Sequence, residues 1–119
     1  MVTLPPAKRG EIWLVRFDPS LGAEIRKLRP AIVVSVDGVG RLPLRIVVPV
    51  TNWKPVYGGL SWFVRLPAAT TNGLSKDSAA DAFQVKSVSE ARFIQRLGVV
   101  TPSQLEEIAS AVALCVGAP

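Results

Sequence analysis

The sequence predicts one small, mainly β domain: a strongly bent sheet or partly open barrel with a single C-terminal helix packed against it. Three observations lead to this fold class. Five or six short runs are rich in β-branched and aromatic residues, the connections are rich in turn-forming residues, and one amphipathic helical pattern ends the chain. The length of 119 residues fits a single domain over 1–119, and the lone Cys115, expected in the core, excludes an intramolecular disulfide.

Each predicted strand is a short run bounded by turn residues. The first, EIWLVRF, would place Trp13, Val15 and Phe17 on one face and Ile12 and Leu14 on the other. The predicted strands are 11–17, 31–36, 44–50, 60–66 and 78–86, followed by a helical turn within 87–98 and a short last strand at 97–100. Loops are expected at 18–29, 51–59 and 67–77.

Two prolines constrain the second and third strands. Pro30 has no N–H to donate, so it fits the first position of a strand, and the apolar run after it is typical of a strand covered on both faces. Pro49 predicts that the third strand lies at a sheet edge or bends there.

The C-terminal stretch carries the signals that begin and end a helix. Thr101 is a good N-cap, Pro102 suits the first helical position and Gln104 completes a capping-box spacing. Gly117 can end the helix. The apolar stripe consists of Leu105, Ile108, Ala109, Val112, Cys115 and Val116.

The charge distribution points to an anionic partner. The net charge is +5, residues 38–66 contain four cations and no acid, and the segment from Thr101 contains two acids and no cation. Nucleic acid is the commonest anionic partner of such a face. Alternatively, the positive net charge only keeps the domain soluble. The N-terminus has no apolar signal segment and no run is long enough to cross a membrane, so we expect a soluble cytoplasmic protein without a membrane partner.

The absence of histidine narrows the chemistry. The side chain that most often transfers protons near pH 7 is missing, and no cluster of histidine, cysteine and carboxylate suggests a metal site, so no metal or other cofactor is expected. The densest charge lies in GAEIRKLRP at 22–30, which holds Glu24, Arg26, Lys27 and Arg29. This segment is either a solvent-exposed loop that only connects two strands or a functional site.

Three pieces of the sequence together carry a family resemblance: KRGEIW, GAE followed by RP, and VPVT. In this order and spacing they resemble the MazF/PemK family of toxin ribonucleases, over a core of about 8–116. The resemblance implies an SH3-like, partly open barrel of the MazF/PemK/CcdB kind, usually a homodimer. It further implies a toxin that cleaves single-stranded RNA (mRNA) at short motifs without a metal and is neutralised by a cognate acidic antitoxin.

The resemblance also assigns catalytic roles. Arg29 occupies the position of the family's catalytic arginine, Glu24 that of its glutamate and Thr51 that of the threonine closing the third strand. In metal-free RNA cleavage the substrate's 2′-OH is the nucleophile, and arginine suits the charge that develops on the phosphorus because its planar fork binds phosphate oxygens and stays charged. Thr51 would hydrogen-bond the scissile phosphate or the 2′-OH, and Glu24 would act as base or orient Arg29.

Further RNA contacts are predicted at Arg26, Lys27, Asn52, Trp53 and Lys54. Arg26 and Lys27 depart from the family's glycine-rich segment and would contact either RNA phosphates or the antitoxin. Trp53 and Tyr57 flank Lys54 as in single-strand binding surfaces, with capping of the barrel end as the alternative for Trp53. Trp13 and Trp62 are expected in the core or a dimer interface.

A second departure concerns the segment DAFQVKS. Some family members carry an acidic residue before the glutamine and an arginine two positions earlier, where this chain has Phe83 and Asp81. Two other functions therefore stay open: a non-catalytic SH3-like module that binds RNA or an acidic protein, and a toxin of related fold that poisons DNA gyrase. The cleavage motif, the antitoxin and the general base are not determined by the sequence.

Overall fold

The computed structural model describes residues 7–17, 27–38 and 43–119. Seven strands, three short 3-10 turns and one helix make up these ranges. The strands are β1 (Glu11–Phe17), β2 (Lys27–Val33), β3 (Leu44–Asn52), β4 (Phe63–Leu66), β5 (Ser78–Asp81), β6 (Lys86–Ser89) and β7 (Phe93–Val99). The 3-10 turns are Pro55–Gly59, Ala82–Gln84 and Glu90–Arg92, and the helix α1 is Pro102–Val116.

The strands form one antiparallel sheet that is not closed. Its order is β4-β5-β3-β2-β1-β7, and β6 pairs with the first part of β3. The predicted fold class, a mainly β, partly open barrel with one C-terminal helix, is confirmed. In the described ranges no helix combines the length and apolar character needed to cross a membrane.

Two apolar clusters lie on opposite faces of β1. Ile12 belongs to the cluster that packs under α1, whereas Trp13 and Val15 belong to a second cluster with Phe93, whose ring contacts Trp13 edge-on at 5.6 Å. The alternation predicted for EIWLVRF and the core position of Trp13 are therefore confirmed. The cluster under α1 consists of Ile12, Ile32, Val48, Val50, Val64, Leu66, Leu74, Ala80, Ala82, Val100, Ile108 and Ala111, with Cys115 packed against it and partly buried.

The helix begins and ends as predicted. The Thr101 hydroxyl accepts a hydrogen bond from the Gln104 N–H at 3.0 Å, and the Gln104 side chain accepts one from the Thr101 N–H at 2.9 Å. Gly117 ends the helix in the left-handed conformation at φ 72°, which glycine adopts without a Cβ penalty. Burial of Ile108 alone contributes about 1.5–3 kcal/mol.

The second strand starts earlier than predicted. It begins at Lys27 and ends at Val33, so Pro30 lies in its middle, opposite Leu14 of β1. The prediction that Pro30 opens the strand was wrong. From Lys27 to Pro30 the strand pairs only with β1 among the described strands, and a position that faces no partner on one side needs no N–H donor there.

Pro49 lies inside the sheet, not at its edge. Strand β3 is central and extends to Asn52, so Thr51 and Asn52 are strand residues rather than the start of a loop. Along one side, β3 pairs with β6 up to Val47 and with β5 from Val50 onward. Pro49 sits in the gap between these partners, where its missing donor removes no ladder hydrogen bond.

The predicted strand at 78–86 is two strands separated by a turn. The carboxylate of Asp81 accepts hydrogen bonds from the Phe83 N–H at 3.2 Å and from Gln84 Nε2 at 2.9 Å, which ends β5 and forms the 3-10 turn. β4 is shorter than predicted and begins at Phe63. The turn expected within 87–98 is Glu90–Arg92, and β7 is longer than the predicted last strand.

Candidate active site

The sheet opens between β2 and β3 at the position of the predicted site. β2 and β3 pair at Ala31–Pro49 and at the next two positions along β2. On the other side of Ala31–Pro49 the two strands no longer pair: β2 stays paired with β1, and β3 pairs with β5. Arg29 and Thr51 each lie two residues past this last pair. Continuing the register would place them opposite each other, and alternation places their side chains on one face. The structure thus brings these two predicted residues to the same opening.

Both side chains are available at this opening. Arg29 and Thr51 are each half-buried, so both residues keep some exposure to solvent. Within the described ranges, the guanidinium of Arg29 makes no hydrogen bond or ion pair with another side chain. Pairing with β1 fixes the backbone of Arg29 and pairing with β5 fixes that of Thr51, so an anion entering the opening would meet a cation and a hydroxyl carried on fixed strands.

Three other predicted residues cannot be placed. Glu24 and Arg26 lie outside the described residues, and Lys27 is described only as the first backbone position of β2. Their proposed roles at the phosphate, or toward an antitoxin, stay predictions.

The residues after Thr51 line the next part of the surface. Asn52 is exposed and pairs with Ser78, and Lys54 is exposed. Trp53 is half-buried: its N–H donates to the Asp77 carbonyl at 3.0 Å, and the guanidinium of Arg65 lies 4.9 Å from the centre of its ring. Both predicted roles of Trp53, stacking on RNA bases and capping the barrel end, therefore stay open. Its backbone is anchored to the sheet, and its side chain is only half-buried.

A row of residues connects the opening to the sheet edge. Thr51 and Arg65 both lie directly opposite Ala79, one on each neighbouring strand. The three side chains consequently share one face, and Arg65 lies about 10 Å from Thr51 at two strand spacings. Thr51 thus has Arg29 on one side and Arg65 on the other.

The charge of Arg65 is partly compensated. Its Nη2 donates to Asp77 Oδ2 at 3.0 Å, and Asp77 Oδ1 accepts from the Ala68 N–H at 3.3 Å. The hydrogen bond from Arg65, followed by that from Ala68, lowers the pKa of Asp77 below its usual 3.8. Arg65 is thereby fixed between a carboxylate and the Trp53 ring, and the exposed Lys54 adds a second cation nearby.

The sequence predicted Trp53 and Tyr57 as a possible binding surface, but not the further rings that extend this surface next to the row. Tyr57 stacks on Phe63 at 3.8 Å, Trp62 contacts Phe63 at 6.0 Å, and Trp62 contacts Phe83 at 6.4 Å. Tyr57 also contacts Trp53 edge-on at 6.0 Å. We call Trp53, Tyr57, Phe63, Trp62 and Phe83 the aromatic run. Trp62 belongs to this half-buried run and not to the apolar core, so the core alternative predicted for it was wrong.

The departure at Asp81 has a structural explanation. The Asp81 side chain is almost fully buried and holds the turn that follows β5, through its bonds to Phe83 and Gln84. The neighbouring Phe83 ring projects outward and is 69% exposed. In this chain Asp81 is therefore a structural acid that caps the turn after β5.

Comparison with known proteins identifies the family. Residues 8–116 match the family model described as PemK-like, MazF-like toxin of type II toxin–antitoxin system. The chain is 39% identical over 114 residues to the endoribonuclease MazF9 of Mycobacterium tuberculosis, which covers 90% of this chain and 93% of that protein.

Solved structures show the same fold. A MazE–MazF structure from Deinococcus radiodurans has a TM-score of 0.73 at 25% identity, covering 95% of this chain and 97% of that one. An endoribonuclease from a mycobacterial species, solved in complex with its cognate antitoxin, also has a TM-score of 0.73, at 18% identity and the same coverage of both chains. The resemblance carried by KRGEIW, GAE–RP and VPVT is confirmed, and the chain belongs to the family of PemK-like, MazF-like toxins of type II toxin–antitoxin systems.

Proposed function

We propose that this chain is a sequence-selective endoribonuclease toxin that cleaves single-stranded RNA without a metal ion. The observation that carries the proposal is the opening between β2 and β3, which holds Arg29 and Thr51 on one face. Membership of a family whose similar member MazF9 is named an endoribonuclease supports the same activity here.

The chemistry follows from these groups. The 2′-OH of one nucleotide loses its proton and attacks the adjacent phosphorus, and a 2′,3′-cyclic phosphate forms. The bond to the 5′-oxygen of the next nucleotide breaks, and that oxygen takes up a proton and leaves as a 5′-hydroxyl. Arg29 would stabilise the charge on the phosphoryl oxygens, where a positioned donor is worth about 10²–10³ in rate. Thr51 would hydrogen-bond the phosphate or the 2′-OH. Glu24 stays a candidate for accepting the proton or orienting Arg29.

The same proposal includes an acidic antitoxin, a homodimer and a cytoplasmic location. A net charge of +5 favours an acidic partner that competes with RNA for the same cations. The exposed Leu114 and Val116 near the C-terminal end of α1 offer an apolar surface for a second copy. The structure of a mycobacterial endoribonuclease with its cognate antitoxin is a precedent for the first partner.

Incubation of the purified protein with end-labelled single-stranded RNA in excess EDTA tests the function. Discrete fragments that end in 2′,3′-cyclic phosphate are expected. Intact RNA of retarded mobility would instead indicate a non-catalytic binding module, and inhibition of DNA supercoiling by gyrase without RNA cleavage would indicate a gyrase poison. Either result would contradict the proposal.

A further inference from the structure

The eight aromatic residues of this chain separate into a core group and a surface group. Trp13 and Phe93 pack together in the second core cluster, and Phe17 lies at its margin. The other five form the aromatic run, in which each ring contacts the next at 3.8 to 6.4 Å between centroids. Five solvent-reaching rings in one continuous surface need a reason beyond core packing.

The rings of the run are held in place by the sheet. Tyr57 and Phe63 stack in parallel within 4°, and Arg65 covers one face of Trp53. At the far end, Asp81 fixes the turn that carries Phe83. Rigid aromatic side chains lose little conformational entropy on binding, so the run is prepared for a flat ligand before the ligand arrives.

The run starts next to the candidate active site. Trp53 follows Thr51 by two residues, and Phe63 lies on the same face of β4 as Arg65, whose row leads back to Thr51. A chain whose phosphate sits between Arg29 and Thr51 can therefore continue past Arg65 and Lys54 onto the rings without leaving this side of the sheet.

The charges around the run favour a polyanion that also carries rings. Lys54 and Arg65 flank its first half, and two carboxylates that the structure describes near the run, Asp77 and Asp81, are already hydrogen-bonded. Glu106 and Glu107 of α1 lie across a groove of about 620 Å³ that also borders Phe63. These two acids would keep phosphates on the Lys54 and Arg65 side and leave the bases facing the rings.

We propose that the aromatic run binds the bases of the single-stranded RNA substrate by stacking, with Trp62 and Phe83 as its outer positions. The proposal rests on the ribonuclease function proposed above and extends it to residues on the β4 and β5 side of the sheet. Stacking on an aromatic side chain tolerates any base, so the run sets affinity and the length of RNA engaged, while phosphate contacts set the register.

Binding measurements in an Arg29→Ala background test this proposal, because the RNA then stays intact. The ligands are a ten-nucleotide single-stranded RNA and the same ribose-phosphate chain without bases. Phe83→Ala should raise the Kd for the RNA about 5- to 150-fold and leave the Kd for the abasic chain within about twofold. Ile94→Ala, an exposed residue of β7 at the other end of the sheet, should change neither Kd.

Phe83→Ala should fold normally, because its side chain is 69% exposed, and its thermal melting should match that of the parent. Trp62→Leu gives a second test at the neighbouring ring. Equal losses for both ligands, or no loss for either variant, would overturn the proposal. So would an unchanged RNA affinity with a dissociated dimer or a weakened antitoxin complex, since the run would then be a protein interface.

The two proposals fail separately. If the wild-type protein cleaves RNA but Phe83→Ala binds as well as its parent, only the stacking proposal is wrong. If the wild-type protein neither cleaves RNA nor distinguishes RNA from the abasic chain, both the ribonuclease proposal and the stacking proposal are wrong.

Discussion

The two ends of the sheet are built differently. At the β7 end, backbone packs directly on backbone: the Val99 N–H donates to the Thr71 carbonyl at 3.0 Å, and Gly98 leaves no room for a side chain. At the β4 end, rings and cations cover the sheet, and Phe83 stays largely exposed. Close packing tolerates no added atom, whereas an exposed side chain can be removed with little effect on stability. The β7 end therefore holds the fold, and the opened side presents the site.

The largest effect expected from this division is a loss of activity without a loss of stability. Arg29→Ala removes the proposed charge stabiliser and should lower the RNA cleavage rate about 10²–10³-fold with an unchanged melting temperature. Arg16→Ala is the matched control, since Arg16 lies on the neighbouring strand and its side chain points to the opposite face. Cleavage rates and thermal melting of both variants check this. A folded Arg29→Ala protein that cleaves RNA normally would contradict the assignment.

The second-largest effect is expected at the β7 end, where a substitution should lower stability and leave activity unchanged. A Cβ on Gly98 would lie 2.3 Å from the Thr71 carbonyl oxygen and 2.7 Å from the Asn72 Cα. Because both neighbours are backbone, Gly98→Ala should lower the free energy of unfolding by about 3 kcal/mol, with normal cleavage per folded molecule.

Gly59→Ala is the control for this substitution, because a Cβ there meets nothing within 4 Å. Urea unfolding of the two variants gives the comparison. Equal stability of Gly98→Ala and Gly59→Ala would show that the loop from Thr71 to Gly73 is not fixed to β7 as described.

The loop at 67–77, which packs on the β7 end of the sheet, is held by the buried side-chain amide of Asn72. Asn72 Oδ1 accepts from the Ala69 N–H at 3.1 Å and from the Leu74 N–H at 2.9 Å, and its Nδ2 donates to the Pro67 carbonyl at 2.9 Å. Asn72→Ala removes the partner of three backbone groups and should cost about 2 kcal/mol of unfolding free energy. Faster proteolytic cleavage within 67–77 should accompany the loss, and a variant as stable as the wild type would refute the role of this amide.

Local patterns in the sequence predicted the helix with its caps and the alternation of β1, because each depends on neighbouring residues alone. The resemblance supplied Arg29 and Thr51, but the register that brings them together depends on where β2 leaves β3. Pro30 was misplaced and the edge alternative for Pro49 was wrong for the same reason, since the need for an N–H donor depends on which strand lies alongside. Trp53 and Tyr57 were predicted because they lie close together in the sequence, whereas Phe63, Trp62 and Phe83 were missed as part of the run because they come from segments that meet only after β4 and β5 pair.

The smallest predicted effect is a pH-dependent loss of stability at the β1–β7 junction. Burial raises the pKa of Glu11, but hydrogen bonds from the Lys8 N–H, Trp13 Nε1 and Arg96 Nε, together with the charge of Arg96, lower it below 4.5 overall. A carboxyl with a lower pKa in the folded state contributes stability above its unfolded pKa and loses it as the pH falls through the folded value.

Glu11→Gln should therefore destabilise the protein at pH 7 by no more than about 1 kcal/mol, because the Arg96 side chain is half exposed. The difference in urea midpoint between wild type and Glu11→Gln should shrink as the pH falls below 4.5. Asp37→Asn, at an exposed acid outside the β1–β7 junction, is the comparison. A midpoint difference for Glu11→Gln that stays constant from pH 7 to pH 3 would mean that the ionised carboxylate does not stabilise this junction.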